Sequence, residues 1–481
     1  MSDRAAAPLR TGASLAALLA AFALVLFYQL GVPPAANPAE SRVHAAVQSI
    51  ADGGDWLVPT VAGTPRIEKP PGYAWLGAAA AELAGGVSWS TVRLPSALAA
   101  LGLAALLFAW GRSLRGPDLG LLAALSFAAM CMTVDLGRRG VAEMSLALFC
   151  TLALFGFDGA HYGGRRWGLP VFSAALALAI LAKATAALLV VGLPIAVSLA
   201  LERSLSKSLR GETLAWLGLA LVAGFAWYAL VLAAVPDAAR TLWAEATEPV
   251  GVRAPGASAT HYGPVYLYFA VLARAAAPAI VLLPLAALRA WRSRGFANEP
   301  RLRFVALGFA SLFVAFSLLP QKRTHYLMPL LPLLALLLAE SLVELRERAP
   351  ERLRRILVGA AVVAIPVAAA GAAGLAIFHI ELSGAPRGAT ATAAALVTLP
   401  LAALVWAGLR FHPRVFAAIL TSGTLAALLA FYASIDVCRR QVEVGAAAKC
   451  PDYDETRWQR AFDHWPALGH FMVAPPKERD S

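Results

Sequence analysis

The sequence predicts an all-α polytopic membrane protein with about thirteen transmembrane helices, each long enough to cross a bilayer. Of the 481 residues, 59% are apolar and only 15% are charged. A soluble globular domain has about 45–50% apolar and about 25% charged residues, so that class is excluded. Disorder is excluded too, because disordered chains contain little apolar surface. The apolar residues also fall in blocks of about 18–22 residues, the length that a membrane-spanning helix needs.

The first span covers roughly residues 12–30 and follows a short start that contains Arg4 and Arg10. It is long and lacks a convincing small-residue cleavage site, so we interpret it as an uncleaved span with a cytoplasmic N-terminus. Lys183 divides one long apolar run into the fifth and sixth spans. After the first, spans are expected near residues 92–111, 118–135, 141–158, 167–182, 184–201, 213–235, 264–288, 303–319, 325–343, 356–377, 389–409 and 415–434.

The net charge of +12 arises from 41 Lys and Arg against 29 Asp and Glu. With thirteen spans, every turn assigned to the cytoplasm is basic, as the positive-inside rule requires. Topology therefore explains most of the basicity. The sequence contains no zinc site or aromatic-basic repeat, so we expect no nucleic-acid partner. The cations of the predicted inner turns include Arg112, Arg115, Arg165, Arg166, Arg203, Lys207, Arg210, Arg289, Arg292, Arg301, Arg303, Arg346, Arg348, Arg410 and Arg414.

Three polar segments are expected on the outer face, namely residues 31–88, 236–263 and 435–481. Each is below the size of about 60 residues at which a domain can form a core of its own, so they are expected to pack on one another and on span ends. Helical spacing of apolar residues after Arg42 predicts a juxtamembrane helix in the first outer loop. Cys438 and Cys450 in the tail either pair in an oxidising periplasm or stay free thiols.

The first outer loop contains two clusters of candidate functional residues. Glu40 and Arg42 lie at the start of the predicted surface helix, where stabilisation by the helix dipole is the simpler explanation for Glu40. Glu68 and Lys69 precede Pro70-Pro71, which excludes a helix and makes the turn stiff. A lysine held in this way can bind a phosphate as a point charge, although a solvated ion pair is the alternative. Glu68 could instead bind a metal.

Further candidates follow at other span ends on the same face. Glu143 is expected about one turn inside an apolar block, where a charge is costly. Lys322, Arg323 and Tyr326 precede the tenth span and are typical of an anion site, with membrane anchoring as the alternative. His261 in the loop 236–263 is by itself poor support for a metal, because a structural zinc takes about four protein ligands.

Together these clusters place cations and carboxylates at one outer membrane surface, where a lipid-linked phosphate presents its head group. The cations would hold a phosphate leaving group, and a carboxylate would take a proton from an acceptor hydroxyl. This combination allows a sugar to be displaced without a nucleotide.

At these residues the sequence resembles the GT-C membrane glycosyltransferases, in particular the aminoarabinose-transferase-like and protein O-mannosyltransferase superfamily. The resemblance covers roughly residues 13–345. A second match starts at Lys322, and a weaker one is Leu181-Ala182-Lys183. Most of the match is carried by Glu40-x-Arg42, Gly54-Asp55-Trp56-Leu57-Val58-Pro59, Glu68-Lys69-Pro70-Pro71-x-x-x-Trp75-Leu76 and Arg93-Leu94-Pro95.

The resemblance implies a GT-C fold and an inverting transfer of a sugar from a polyprenyl-phosphate donor on the periplasmic face of the bacterial inner membrane. The acceptor would be lipid A, lipopolysaccharide, another glycolipid or a protein. In the family, an Asp-Glu pair in the first outer loop supplies the base. Here Ala39 replaces the aspartate, so Glu40 takes that role or the enzyme is impaired. Glu143 occupies the position of the family's second catalytic carboxylate.

The resemblance also assigns the binding residues. Arg42 and Lys69 would contact the donor phosphate, and Lys322, Arg323 and Tyr326 would bind the donor head group. Glu68 and, in a looser alignment, His261 would hold a divalent metal.

The catalytic transmembrane domain is therefore expected over residues 1–345, with additional helices over 346–434 and a periplasmic tail over 435–481. Two alternatives stay open: a flippase or transporter for a polyprenyl lipid, and a catalytically impaired glycosyltransferase homologue. A transporter is expected to carry charges near the bilayer midplane, whereas here they gather at one face.

Overall fold

The computed structural model describes residues 3–31, 38–208, 210–247, 263–277, 279–294, 296–348 and 351. These residues are almost entirely helical. An antiparallel hairpin, β1 (Thr60–Val61) and β2 (Thr64–Pro65), pairs Thr60 with Pro65. 3₁₀ helices cover Ala279–Leu282 and Thr324–Leu330. The α-helices are α1 (Asp3–Phe27), α2 (Pro38–Ala51), α3 (Gly72–Ala84), α4 (Trp89–Arg115), α5 (Pro117–Ala128), α6 (Cys131–Gly137), α7 (Glu143–His161), α8 (Gly168–Leu201), α9 (Leu205–Ser208), α10 (Gly211–Ala234), α11 (Ala238–Thr247), α12 (Leu267–Ala275), α13 (Leu283–Arg292), α14 (Pro300–Leu318) and α15 (Leu331–Arg348).

The chain divides into two compact units, one of residues 1–30 and 42–353 and one of residues 31–41 and 354–481. In the second unit the described residues are Gly31 and Pro38–Ser41. The spans expected at 356–377, 389–409 and 415–434 lie outside the described residues. So does the tail from 435 to 481 with Cys438 and Cys450.

Among the described residues, six helices are long and apolar enough to cross a membrane. They are α4, α7, α8, α10, α14 and the segment Thr324–Arg348 that ends with α15. Each overlaps a predicted span along most of its length, and α8 corresponds to two spans, so the chain is a multi-pass membrane protein. The structure does not establish the predicted number of thirteen.

Helix α8 contains two of the predicted spans and bends back on itself at Lys183. A straight helix of its 34 residues would be about 50 Å long. Yet the Tyr162 hydroxyl, just before α8 begins, donates to Glu202 Oε1 just after it ends, over 2.9 Å. Lys183 is the residue of non-helical backbone in the helix (φ −168°, ψ 94°). The two arms therefore start and finish at the same end of the molecule, as the division into spans 167–182 and 184–201 predicts.

Two other predicted spans are broken in the structure. The span expected at 118–135 is divided into α5 and α6, which meet at an angle of 68°. The span expected at 264–288 is α12, a 3₁₀ turn and the start of α13 rather than one helix. Pro284 lies in the first turn of α13, where its missing N–H is tolerated, whereas the interior of a continuous helix would lose a hydrogen bond there.

In the first outer loop, helices α2 and α3 pack on α4. Val43, Val47 and Ile50, the residues whose spacing predicts a helix, lie buried against α3 and Val92. The Tyr73 hydroxyl lies 2.7 Å from Ser96 Oγ and donates to the Val92 carbonyl over 2.9 Å. These contacts fix the loop to α4.

Two buried arginines bind the carbonyls at the end of α1. Arg138 donates to the carbonyls of Val25 and Leu26, over 2.5 and 3.0 Å. Arg93, from the Arg-Leu-Pro motif, donates to the Leu30 carbonyl over 2.9 Å. Cations stabilise a helix C-terminus because they satisfy its free carbonyls and complement its dipole. Both arginines thus hold the chain where it leaves α1.

A network of ion pairs ties the helices together at the opposite end of α7 from Glu143. Asp158 is fully buried, and Arg301 Nε and Trp110 Nε1 donate to its carboxylate over 2.9 and 3.0 Å. Arg303 pairs with Glu202 at 2.8 Å. The predicted inner-turn cations Arg301 and Arg303 thus lie at one end of α7, and Glu143 lies at the other.

Candidate functional site

The stiff turn before α3 presents Glu68 and Lys69. Pro71 caps α3 at its N-terminus, so the helix begins directly after the two prolines. Arg66 Nε donates to Glu68 Oε1 over 3.4 Å. Burial lowers the pKa of Arg66, and the neighbouring Glu68 carboxylate opposes that shift. Glu68 is therefore paired with Arg66. The neighbouring Lys69 pairs instead with a residue of α11.

Two tryptophans hold the segment 55–57 against the helices. Trp75 Nε1 donates to the Trp56 carbonyl over 2.7 Å, and Trp227 Nε1 donates to the Leu57 carbonyl over 2.8 Å. Asp55 Oδ1 accepts the Leu57 N–H over 2.7 Å and so closes a local turn. The Asp-Trp-Leu motif is thus a scaffold that joins the first outer loop to α10.

The start of α3 lies directly on the bend of α8. A Cβ atom added to Gly72 would lie 2.6 Å from the Leu181 carbonyl oxygen, closer than real Cβ contacts come. Only glycine allows the two backbones to approach so closely at this point. The contact brings Lys69, three residues before Gly72, to the same end of the bundle as Lys183.

Lys69 and Lys183 form the cationic centre of the site. Lys69 Nζ lies 3.8 Å from Glu245 Oε1 on α11, and both side chains are about one third exposed. Lys183 Nζ lies 5.1 Å from the centre of the Tyr326 ring, a cation–π contact. The charged groups that act on Lys183 are Glu143, Lys69, Glu245 and Arg323. The site therefore contains three cations and two carboxylates from five segments of the chain.

Glu143 is the first residue of α7, where the helix dipole stabilises a carboxylate. Its Oε1 lies 3.5 Å from Nε2 of His325. The lysines Lys183 and Lys69 also act electrostatically on it. The carboxylate expected about one turn inside an apolar block thus lies at the start of α7, beside His325.

The segment 322–326 divides into two parts. Lys322 is buried and donates to the carbonyls of Ser317 (2.8 Å), Phe316 (3.4 Å) and Leu319 at the end of α14. Burial lowers the pKa of Lys322, whereas hydrogen bonds from its ammonium to carbonyls favour the charged form. These contacts turn the ammonium toward the helix end, which differs from the head-group contact expected for it.

The other residues of this segment reach the site. Tyr326 contacts Lys183 through its ring, and the charge of Arg323 acts on both Lys183 and His325. The Arg323 carbonyl accepts the Tyr268 hydroxyl over 3.0 Å, which holds the segment to α12.

Next to Lys69 and Lys183 lies a cavity with a volume of about 400 Å³. Charged groups line one part of it, namely Glu68, Lys69, Lys183 and Glu245. Apart from Pro70, the rest of the lining is almost wholly apolar and comes from the second arm of α8, from α10 and from α11: Ala184, Thr185, Leu188, Phe225, Tyr228, Leu232, Ala239, Leu242, Trp243 and Ala246. The cavity therefore combines a charged region with an apolar wall.

The remaining predicted site residues have different outcomes. Arg42 is exposed on α2, and its charge acts on Arg66. Glu40 is buried in the first turn of α2 and belongs to the second unit. His261 lies outside the described residues. The predicted residues that the structure brings together are Glu68, Lys69, Glu143, Arg323 and Tyr326.

A divalent metal at Glu68 has few ligands in the part of the chain that the structure describes. That part contains no group of three or more His, Cys, Asp or Glu side chains arranged for a metal. The Glu68 carboxylate binds Arg66 there.

The structure adds Lys183, Glu245 and His325 to the site residues expected from sequence. A lone lysine between two apolar runs was a signal for Lys183, because a charge within a membrane-spanning segment is functional by default. His325 lies inside a recognised motif between Arg323 and Tyr326. Glu245 lies in the polar outer segment 236–263, which marks it as a candidate, but its pairing with Lys69 depends on how α11 packs.

Comparison with known proteins supports the fold and the resemblance. The sequence profile of the family described as dolichyl-phosphate-mannose-protein mannosyltransferase matches residues 68–233. The undecaprenyl phosphate-alpha-4-amino-4-deoxy-L-arabinose arabinosyl transferase of Aeromonas salmonicida is 28% identical over 341 residues, which are 69% of this chain and 61% of that protein. The enzyme of the same name from Pseudomonas paraeruginosa is 30% identical over 338 residues, covering 68% and 59% of the two chains. The chain thus spans about three fifths of the length of these curated relatives.

Two solved structures of ArnT from Cupriavidus metallidurans share the fold. The apo structure superposes with a TM-score of 0.70 at 22% identity and covers 86% of this chain and 76% of ArnT. The structure bound to undecaprenyl phosphate gives a TM-score of 0.72 at 21% identity and covers 88% and 77%. The matched profile, the sequence relatives and the shared fold confirm that this chain resembles the GT-C membrane glycosyltransferases of the aminoarabinose-transferase-like and protein O-mannosyltransferase superfamily.

Proposed function

We propose that this protein is a membrane glycosyltransferase that transfers a sugar from a polyprenyl-phosphate donor to an acceptor hydroxyl. The observation that carries the proposal is the cavity in which Lys69 and Lys183 adjoin an apolar wall. A polyprenyl-phosphate sugar has the same two parts, an anionic phosphate and a hydrocarbon chain. The relatives named for an undecaprenyl-phosphate donor and the ArnT structure that holds undecaprenyl phosphate support this choice of donor.

In this proposal the cations bind the donor phosphate. Lys69 and Lys183 take the phosphate oxygens, and Glu245, now 3.8 Å from Lys69, gives way to them. Arg323 and Tyr326 lie around Lys183 and contact the head group. Arg42 completes the cationic surface beside Arg66. Lys322 supports the site indirectly, since it fixes the end of α14 from which this segment leaves.

The proposed reaction is an inverting displacement. The acceptor oxygen attacks the anomeric carbon of the sugar while the bond between that carbon and the phosphate oxygen breaks. The bonding electrons leave with the polyprenyl phosphate, whose negative charge Lys69 and Lys183 stabilise. The acceptor proton passes to a carboxylate, for which Glu40 is the proposed base and Glu143 the second carboxylate. No step of this scheme passes through a metal at Glu68 and His261, which stays a proposal from the resemblance.

We further propose that the site faces the periplasm of a bacterial inner membrane. The support is the position of the predicted inner-turn cations, among them Arg115, Arg301 and Arg303, in ion pairs at the end of the bundle remote from Lys69. Cations favour the cytoplasmic side of membrane proteins. The cationic turns would then lie in the cytoplasm, and the cavity would lie at the outer leaflet.

The test is a transfer assay with purified protein in detergent or vesicles. The probes are undecaprenyl-phosphate-linked 4-amino-4-deoxy-arabinose as donor and lipid A as acceptor, with release of undecaprenyl phosphate as the readout. Time-dependent release that the Lys69→Met variant lacks supports the proposal. Since the acceptor class is open, lipopolysaccharide core and envelope protein serve as second and third acceptors.

Ala39, in the position of the family's aspartate, favours one second candidate, a homologue that binds the donor without turning it over. Undecaprenyl phosphate binding with no transfer to any of the three acceptors would select that candidate. Movement of the labelled lipid between leaflets without sugar release would select a flippase. Absence of both binding and transfer would contradict the proposal altogether.

A further inference from the structure

His325 contacts Glu143 directly, but the proposed reaction gives the histidine no role. Its Nε2 lies 3.5 Å from Glu143 Oε1, and the two side chains are 31% and 19% exposed. The imidazole ring also packs edge-on against Tyr326, with ring centres 5.2 Å apart. His325 therefore sits between the carboxylate at the start of α7 and the aromatic ring that Lys183 contacts.

The charges around this pair come from several elements. The charged groups that act on His325 are Glu143 on α7, Lys183 on α8, Arg323 in its own segment and Lys69 before α3. Helix α6 also packs on the segment 322–326. Its carboxylate, Asp135, is already paired with Arg139 at 2.7 Å. Helix α12 contributes Tyr268, whose hydroxyl binds the Arg323 carbonyl. Glu143 is thus the carboxylate to which this histidine is directed.

We propose that His325 is a positioning residue that holds the Glu143 carboxylate and keeps it from pairing with Lys69 and Lys183, so that both lysines remain available to the donor phosphate. The inference rests on the proposed function. Both lysines act electrostatically on Glu143, so a carboxylate released from His325 is drawn toward them. There it competes with a phosphate for the same cations.

The experiment measures the Kd of undecaprenyl phosphate for the purified full-length chain, so that no variant needs to turn over. His325→Ala is expected to weaken binding about tenfold, because the Glu143 carboxylate that it frees competes with the phosphate for the two lysines. His325→Gln keeps a polar N–H group beside Glu143 and is expected to restore most of the affinity. In the Glu143→Gln background, where the carboxylate that His325 holds is absent, His325→Ala is expected to change the Kd less than twofold.

A matched control exists at the other end of α7. His161 Nε2 lies 3.5 Å from Glu202 Oε2, the same kind of contact at the same distance, but remote from the lysines. His161→Ala is therefore expected to leave the Kd unchanged. Thermal unfolding in detergent is recorded for every variant, so that a loss of fold is recognised.

The outcomes separate the two levels of the proposal. A wild-type chain that fails to bind undecaprenyl phosphate overturns the proposed function. A wild-type chain that binds, together with a folded His325→Ala variant of equal affinity, overturns the role of His325. That role is also overturned if His325→Ala weakens binding as strongly in the Glu143→Gln background as in the wild type.

Discussion

The ammonium of Lys183 lies 5.1 Å from the centre of the Tyr326 ring, at the residue where α8 abandons helical geometry and turns back. The bend and the contact depend on each other. The extended backbone of Lys183 brings its side chain out of the apolar hairpin, and the ring stabilises the charge there. The two residues link the α8 hairpin to the segment before α15, and their contact lies beside the cavity.

Replacing Lys183 tests whether this cation serves the donor. Lys183→Met is expected to weaken undecaprenyl phosphate binding about tenfold, because a charge-assisted contact is lost from a partly desolvated site. Lys183→Arg keeps the charge and is expected to bind within about threefold of wild type, since arginine also contacts phosphate and aromatic rings. Binding measured in detergent checks both values. Wild-type affinity in Lys183→Met would remove this residue from the donor site.

Glu40 is the proposed base, and its replacement separates chemistry from binding. Glu40→Gln is expected to lower the transfer rate by about 10²- to 10⁴-fold, the usual contribution of a general base. Expression and the Kd of undecaprenyl phosphate are expected to stay near those of wild type. Turnover is followed by release of undecaprenyl phosphate. Retained turnover would transfer the role of base to Glu68 or Glu143.

Gly72 tests whether the approach of α3 to the bend of α8 positions the turn that carries Lys69. Gly72→Ala adds a Cβ atom 2.6 Å from the Leu181 carbonyl oxygen, so one of the two backbones must shift. A displacement of about 1 Å near reacting groups can cost about 10²-fold in rate, and we expect a loss of about 10- to 100-fold in transfer.

The matched control is Gly86→Ala, at the other end of α3. No atom lies within 4 Å of a Cβ added at Gly86. Transfer by that variant is expected to equal that of wild type. If Gly72→Ala transferred the sugar as fast as wild type, the close approach of α3 to the bend of α8 would not be needed for activity.

The sequence predicts much of this architecture because bilayer thickness and helix rise leave few alternatives for a long apolar block. The fold-back at Lys183 follows from a charge between two apolar runs, and the start of α3 follows from Pro70-Pro71. The broken helix at 264–288 could not be predicted from hydropathy, which measures apolar content and not backbone continuity. The pairing of Lys69 with Glu245 and of Glu143 with His325 depends on how distant helices pack, and no local pattern encodes it.

Lys322 is a further residue whose contacts no local pattern encodes. The sequence favours a contact with the donor, whereas in the structure Lys322 caps the end of α14. Its ammonium donates to the carbonyls of Phe316, Ser317 and Leu319, and its charge lies 5.4 Å from the centre of the Tyr268 ring. Lys322→Met removes these bonds and leaves buried carbonyls without a partner, which costs about 1–3 kcal/mol. We therefore expect a clear fall in the midpoint of thermal unfolding in detergent, with the Kd of undecaprenyl phosphate changed less than about threefold.

The contrasting variant is Lys69→Met. Because Lys69 is partly exposed and lies 3.8 Å from Glu245, this variant is expected to lose little stability and much of its affinity for undecaprenyl phosphate. If Lys322→Met instead kept its unfolding midpoint and lost donor binding, the ammonium would have to leave the helix end to reach the phosphate.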